Sequence, residues 1–213
     1  MKHSVKAEKF FSGEERERIK KTVQDVETRT IGEVAVMVVD SSDQYIEAEV
    51  MGGVFLSSFI SLILTMALFH SSLWWFILLC FIFHYPAKYV FRKVPHLKTA
   101  FIGLKRKEHA VMQRAERAFY EKGLYKTREN SGVLFFLSLL ERKVWVLADV
   151  GIYKKIDQET LNRFANTVSQ GIREGRACDA LCQAIKESGE VLAFHFSMKP
   201  GDTDELSDEV MTG

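Results

Sequence analysis

Between Glu49 and Lys88 lie 38 residues without a single Lys, Arg, Asp or Glu. No other feature constrains this fold so strongly, because a helix needs about 20 apolar residues to cross a hydrocarbon core of about 30 Å. The run has room for two such helices and a very tight turn. It reads as a membrane hairpin over 50–91. The first arm is Met51 to Phe69, the turn is His70-Ser71-Ser72, and the second arm begins at Leu73-Trp74-Trp75 and fades into Tyr89-Val90-Phe91. A buried core helix is the better reading for apolar runs of about ten to fourteen residues, and this one is too long for it. No cleaved signal is expected, because the run follows an acidic stretch rather than a short basic start. The second arm reaches Pro86 early, so a full crossing needs Lys88 and Arg92 to snorkel toward head groups. A shallow, re-entrant hairpin is the alternative.

The net charge of +1 hides a segregation. Residues 1–49 carry eight Lys or Arg against eleven Asp or Glu, a balance of −3. Residues 86–107 carry seven basic side chains (Lys88, Arg92, Lys93, Lys98, Lys105, Arg106, Lys107) and no acid. Basic residues close to a span favour the cytoplasmic side, so both flanks are expected in the cytoplasm, on an inner or cytoplasmic membrane. The segment 92–107 reads as a basic juxtamembrane stretch drawn to anionic lipid. Beside a span such a cluster is a topology signal before it is a nucleic-acid patch, and no nucleic-acid partner is expected. Of the three cysteines, Cys80 falls in the hairpin, while Cys178 and Cys182 share a helical face without the further ligands of a zinc site.

Around the hairpin the pattern alternates. Ser12-Gly13-Glu14-Glu15 is a capping box, and Ile19, Val23 and Val26 recur at helical spacing toward Thr28. Val34 to Val39 is an unbroken, largely β-branched run that predicts a strand buried on both faces. After the basic cluster, Val111, Ala115, Ala118 and Phe119 mark a helix closed by Lys122-Gly123. Gly132 to Leu140 and Val144 to Ala148, separated by Glu141-Arg142-Lys143, predict an antiparallel pair. A helix then starts after Asp157 and another runs from about Ala177 to Phe194. This order predicts an α/β domain with a small mixed sheet and helices on both faces, interrupted by a two-helix membrane hairpin. Its parts are 10–49 and 108–196, and the acidic tail 197–213 is expected to be disordered. The right-handed crossover rule makes the first two strands parallel neighbours. A lone 49-residue fragment cannot bury a two-sided strand, so the number of crossings is expected to be even.

Five short stretches, Gly32-Glu33-Val34-Ala35-Val36-Met37-Val38, Asn130-Ser131-Gly132-Val133-Leu134-Phe135, Glu141-Arg142-Lys143-Val144, Asp149-Val150-Gly151-Ile152 and Ile156-Asp157, together resemble the TPM domain family. The resemblance implies an α/β sandwich, usually tethered to a membrane. It also implies roles in assembly or repair of membrane complexes, with acid phosphatase activity in some plant relatives and calcium binding in some members. The chain departs from the usual pattern in its internal membrane segment, in Ser131 standing between Asn130 and Gly132, and in Glu141 where Asp is common.

No nucleophile elbow, Walker loop, dinucleotide fingerprint or zinc signature is present. Open α/β sheets form their crevices at strand ends. The candidates there are Asp40 and Asp43 after the first strand, Arg128, Glu129 and Asn130 before the second, and Asp149 after the third. Asp149, Asn130 and Asp40 would suit a hard cation such as Ca or Mg. Asp149 and Asn130 with Arg128 would suit phosphate chemistry. If the first two strands are parallel, Asp40 falls at the opposite sheet edge, and its plain reading is a turn residue, as that of Asp157 is a helix cap. His70, His84 and Tyr85 are the polar groups in or beside the bilayer, too few for an ion path. The reading that results is a non-enzymatic, membrane-anchored module that binds a membrane protein partner, with a metal-dependent phosphatase as runner-up.

Overall fold

The computed structural model describes residues 6–68, 72–197 and 207–213. The chain divides into two units, one built from residues 1–42 and 109–213, the other from residues 43–108.

The first unit is the α/β sandwich that the pattern predicts. Helix α1 (Gly13–Glu27) starts at the Ser12 capping box, with both reciprocal bonds formed. Strand β1 (Glu33–Val39) is buried along its whole length. It pairs in parallel with β2 (Gly132–Ser138), Glu33 opposite Gly132 and Val39 opposite Ser138. Strand β3 (Lys143–Ala148) returns antiparallel to β2. The turn between them places Arg142 at φ 53°. One face of the sheet, with Val34, Val36, Phe135 and Val146, packs against α1, α7 (Gln158–Arg173) and α8 (Ala177–His195). The other, with Ala35, Met37, Leu134 and Phe136, packs against Val111, Ala115 and Phe119 of α5 (Leu104–Glu121), whose residues from His109 onward belong to this unit. Alternate side chains of a strand point to opposite faces, so an uninterrupted apolar strand needs helices on both.

The tail corrects one expectation. Residues 198–206 lie outside the described residues, but β4 (Met211–Thr212) pairs in parallel with β1 and makes the sheet order β3-β2-β1-β4. Val210 is buried and the Gly213 amide donates to the Val38 carbonyl at 3.2 Å. An open sheet edge accepts any extended backbone, which composition cannot show.

The second unit is the hairpin with its base. Helix α2 (Ile46–Leu68) packs on α3 (Leu73–Lys93). Except for Ser72, the expected turn lies outside the described residues. Gly52 faces the Phe91 ring and Gly53 faces Lys88, so the helices are antiparallel. A Cβ at Gly52 would stand 2.3 Å from that ring, so any larger residue requires the Phe91 ring to move. Gly53, Ser57, Ser61 and Thr65 follow at four-residue intervals on the same side of α2, a small-residue seam of the kind that lets apolar helices approach closely. The second arm, expected to fade over Tyr89-Val90-Phe91, stays helical two residues further. Helix α3 continues through Pro86 to Lys93, and both helices are long and apolar enough to cross a membrane.

The segment 92–107 is more than a solvated stretch. It forms the short helix α4 (Pro95–Lys98), a further turn at Thr99–Phe101 and the start of α5. Residues 43–49, expected to go with the first strand, group with the hairpin instead. Ile46 to Glu49 form the first turn of α2, and Asp43, Glu47 and Glu49 pair with Arg106 and Lys98 of the same unit.

Candidate functional site

The parallel pairing of β1 and β2 splits the predicted residues between two ends of the sheet. Asp40 follows Val39, which pairs with Ser138. Asn130 precedes Gly132, and Asp149 follows Ala148, which pairs with Val133. The three cannot converge on one cation, so the set Asp149, Asn130 and Asp40 is corrected. Among the described residues no group of three or more His, Cys, Asp or Glu stands ready to hold a metal. Asp40 instead accepts the Ala7 amide at 2.5 Å. Asp43 lies in the other unit. Burial would raise its carboxyl, but the Arg106 guanidinium and the Gln44 amide outweigh burial and hold it below the usual carboxylate range. Asp157 caps α7 through the Thr160 amide at 2.8 Å.

Asp149 and Asn130 do share one end of the sheet. Asp149 is 8% exposed and caps α6 (Val150–Tyr153), its Oδ1 accepting from the Val150 amide at 2.6 Å. Its Oδ2 is buried without a hydrogen-bond partner among the described residues. Glu129 and Asn130 both adopt left-handed backbone, at φ 59° and 53°. Their carbonyls press on Gly151, where a Cβ would come within 2.3 and 2.6 Å of them. Asn130 itself is exposed, and the Arg128 side chain lies outside what is described. What this end offers is one buried carboxylate beside two strained backbone carbonyls, not a three-residue site.

A polar network that sequence reasoning missed sits at the other end. Ser138 is 2% exposed and donates its only hydroxyl hydrogen to Glu141 Oε2 at 2.5 Å. The Ser42 hydroxyl, 2.7 Å away, must therefore donate to Ser138 Oγ. The Ser42 amide and Ser41 hydroxyl donate to Glu141 Oε1 at 3.1 and 3.3 Å. Glu141, read as a turn residue, thus clamps the chain where it leaves β1. The one available signal was its place at the carboxyl end of a parallel pair. Elsewhere, burial first and then Cys182 push the Cys178 thiol up to about 12, so it stays protonated and inert.

In the hairpin unit the exposed outer surface is apolar. Met51, Val54, Phe55, Phe59, Ile63 and Met66 of α2 are exposed, as are Trp74, Leu78, Phe81 and Tyr85 of α3. At its base Lys98 Nζ bonds Glu49 Oε1 at 2.6 Å and the Gln44 carbonyl at 3.2 Å, with both ionic side chains 11% exposed. Arg106 pairs with Asp43 and Glu47 and lies over the Tyr45 ring at 5.3 Å.

With the sheet and its helices in place, the family model that fits is a specific one. Residues 98–191 match the TPM domain. The match takes in β2, β3 and α5 to α7 with most of α8, while α1 and β1 lie outside it and complete the same sheet and core. The TPM resemblance of the short motifs is therefore shown over that stretch. The structure is similar to the NMR structure of the BA42 protein from the psychrophilic bacterium Bizionia argentinensis, at 19% identity and a TM-score of 0.62. That likeness covers 98% of this chain and 99% of the other, and at this identity it speaks for the fold alone. No curated protein matches this chain.

Proposed function

We propose that this is a TPM module held in a membrane by the α2–α3 hairpin, whose α/β unit binds a membrane protein partner and serves the assembly or upkeep of a membrane complex. One observation carries the membrane part. The two helices pack on each other along a small-residue seam and leave their apolar outer faces exposed. A soluble core helix would bury those faces, and an exposed apolar surface of this extent needs lipid or protein over it. The hairpin returns the chain to the side from which it came, and the basic residues at its base favour the cytoplasm for both flanks. The test is alkaline carbonate extraction of the full chain with protease mapping of its ends. Retention in the membrane with both ends in the cytoplasm is expected, and release or ends on opposite sides would overturn the reading. A detergent pull-down with mass spectrometry then tests the partner.

A second reading is a cation-dependent phosphatase. It is favoured by the buried, unbonded Oδ2 of Asp149, because a carboxylate oxygen left so is costly unless a cation or proton meets it. Phosphate release with Ca or Mg that disappears in Asp149→Ala would support it. No turnover on common phosphate esters would remove it.

A further inference from the structure

We infer that α3 carries a binding site for the head group of an anionic phospholipid, made by Lys88, Arg92 and Lys93. The inference rests on the membrane reading above and says which lipid the hairpin selects.

The seven basic residues of 86–107 are not equivalent in the fold. Lys98 is buried and held by Glu49, and Arg106 is held by Asp43 and Glu47. Lys107 donates to the Thr99 carbonyl at 2.9 Å. These three are used by the hairpin base itself, and Lys105 is exposed but stands in the first turn of α5, off α3. Lys88, Arg92 and Lys93 have no acidic partner among the described residues, and Arg92 and Lys93 are exposed. Lys88 and Arg92 are four residues apart and so share a helix face. Lys93 Nζ lies 5.6 Å from the centre of the exposed Tyr89 ring, an arrangement suited to the head-group region, where aromatic rings and cations sit together.

Depth decides the occupant. From Leu73 to Ala87 the apolar part of α3 is 15 residues, about 22 Å of helix. That is shorter than a hydrocarbon core of about 30 Å. The three cations therefore stand at the level where acyl chains meet phosphates, Arg92 and Lys93 exposed and Lys88 half-buried with its stem beside Gly53, and long basic side chains at that level extend toward head groups. A phosphate diester with a neutral or sugar-alcohol head group complements three unpaired cations, whereas a zwitterionic choline head group carries its own cation. A soluble acidic protein would have to reach the same level through the lipid.

The test is native mass spectrometry of the full chain released from micelles that contain equal phosphatidylglycerol and phosphatidylcholine. Preferential retention of phosphatidylglycerol, weakening as salt rises, is expected. Lys88→Gln/Arg92→Gln/Lys93→Gln lowers its occupancy about tenfold or more, given three cations each attracting anionic lipid. Lys107→Gln leaves occupancy unchanged, and Arg92→Lys/Lys93→Arg keeps it, which guards against a merely misfolded triple variant. Equal occupancy by the two lipids in a chain that resists carbonate extraction overturns this site alone. A chain that carbonate extracts overturns the membrane reading beneath it. If the triple variant keeps its lipid but loses an acidic protein from the pull-down, the cations serve that protein and the lipid site is wrong.

Discussion

Single residues in this chain are constrained mostly by what stands opposite them. At Gly52 a Cβ meets the Phe91 ring, so Gly52→Leu overpacks the seam and lowers stability in detergent by about 1–3 kcal/mol. A thermal melt of the purified protein reads that loss directly. Glu49→Gln strands the Lys98 ammonium in a buried place, and breaking such a pair costs roughly 3–5 kcal/mol. Glu49→Leu combined with Lys98→Met removes both charges, and its melt is expected to return most of the way to wild type. If the double variant is as unstable as the single one, the pair is not what holds the base together. Gly52 was not legible as a special position, because what crowds it is a ring 39 positions away. Ser12 was legible, since its cap partner is Glu15, within one turn.

At the scale of elements, the edges of the sheet behave differently from its middle. Glu27 ends α1 and accepts the Val34 amide at 2.9 Å. Burial, partly offset by that bond and helped by the nearby carboxylates of Glu33 and Asp208, pushes its pKa up to about 9. A carboxyl raised in the fold stabilises it most at low pH. That contribution is full below the ordinary carboxylate pKa and is lost as pH climbs toward about 9. Glu27→Gln keeps an acceptor for Val34 and removes the titration, so melting of the variant is expected to vary less between pH 5 and pH 9. An unchanged pH profile would show that another group governs it. The strand β4 covers part of the β1 edge, so deleting residues 207–213 leaves that edge open and favours self-association. Light scattering across a concentration series reads the result, and a variant that stays as monodisperse as the full chain would count against it. The helices and the three long strands were legible because their apolar spacing is local. Strand β4 was not, because two residues with no periodicity owe their conformation wholly to the edge they meet.

For the whole molecule, the first unit completes its sheet and both apolar faces with residues 1–42 and 109–213. Replacing residues 43–108 by a flexible Gly/Ser linker is therefore expected to leave a soluble unit that unfolds cooperatively, since closure cost grows slowly with loop length. Circular dichroism during denaturant unfolding checks this, and a non-cooperative transition would show that the hairpin unit is needed for the sandwich. By itself the sequence determined that 38 uncharged residues must find an apolar environment and that the flanks alternate as helix and strand. These follow from solvation and from periodicities of two and 3.6, which neighbouring residues suffice to express. The crossover rule already pointed to Asp40 and Asp149 at opposite ends of the sheet, and the parallel register of β1 and β2 shows it; only the tertiary structure decided that Glu141 clamps Ser42 and Ser138 and which basic residues are held by acids. Those outcomes depend on register between strands about a hundred residues apart, Glu33 against Gly132, and register is a property of pairing that no local stretch contains.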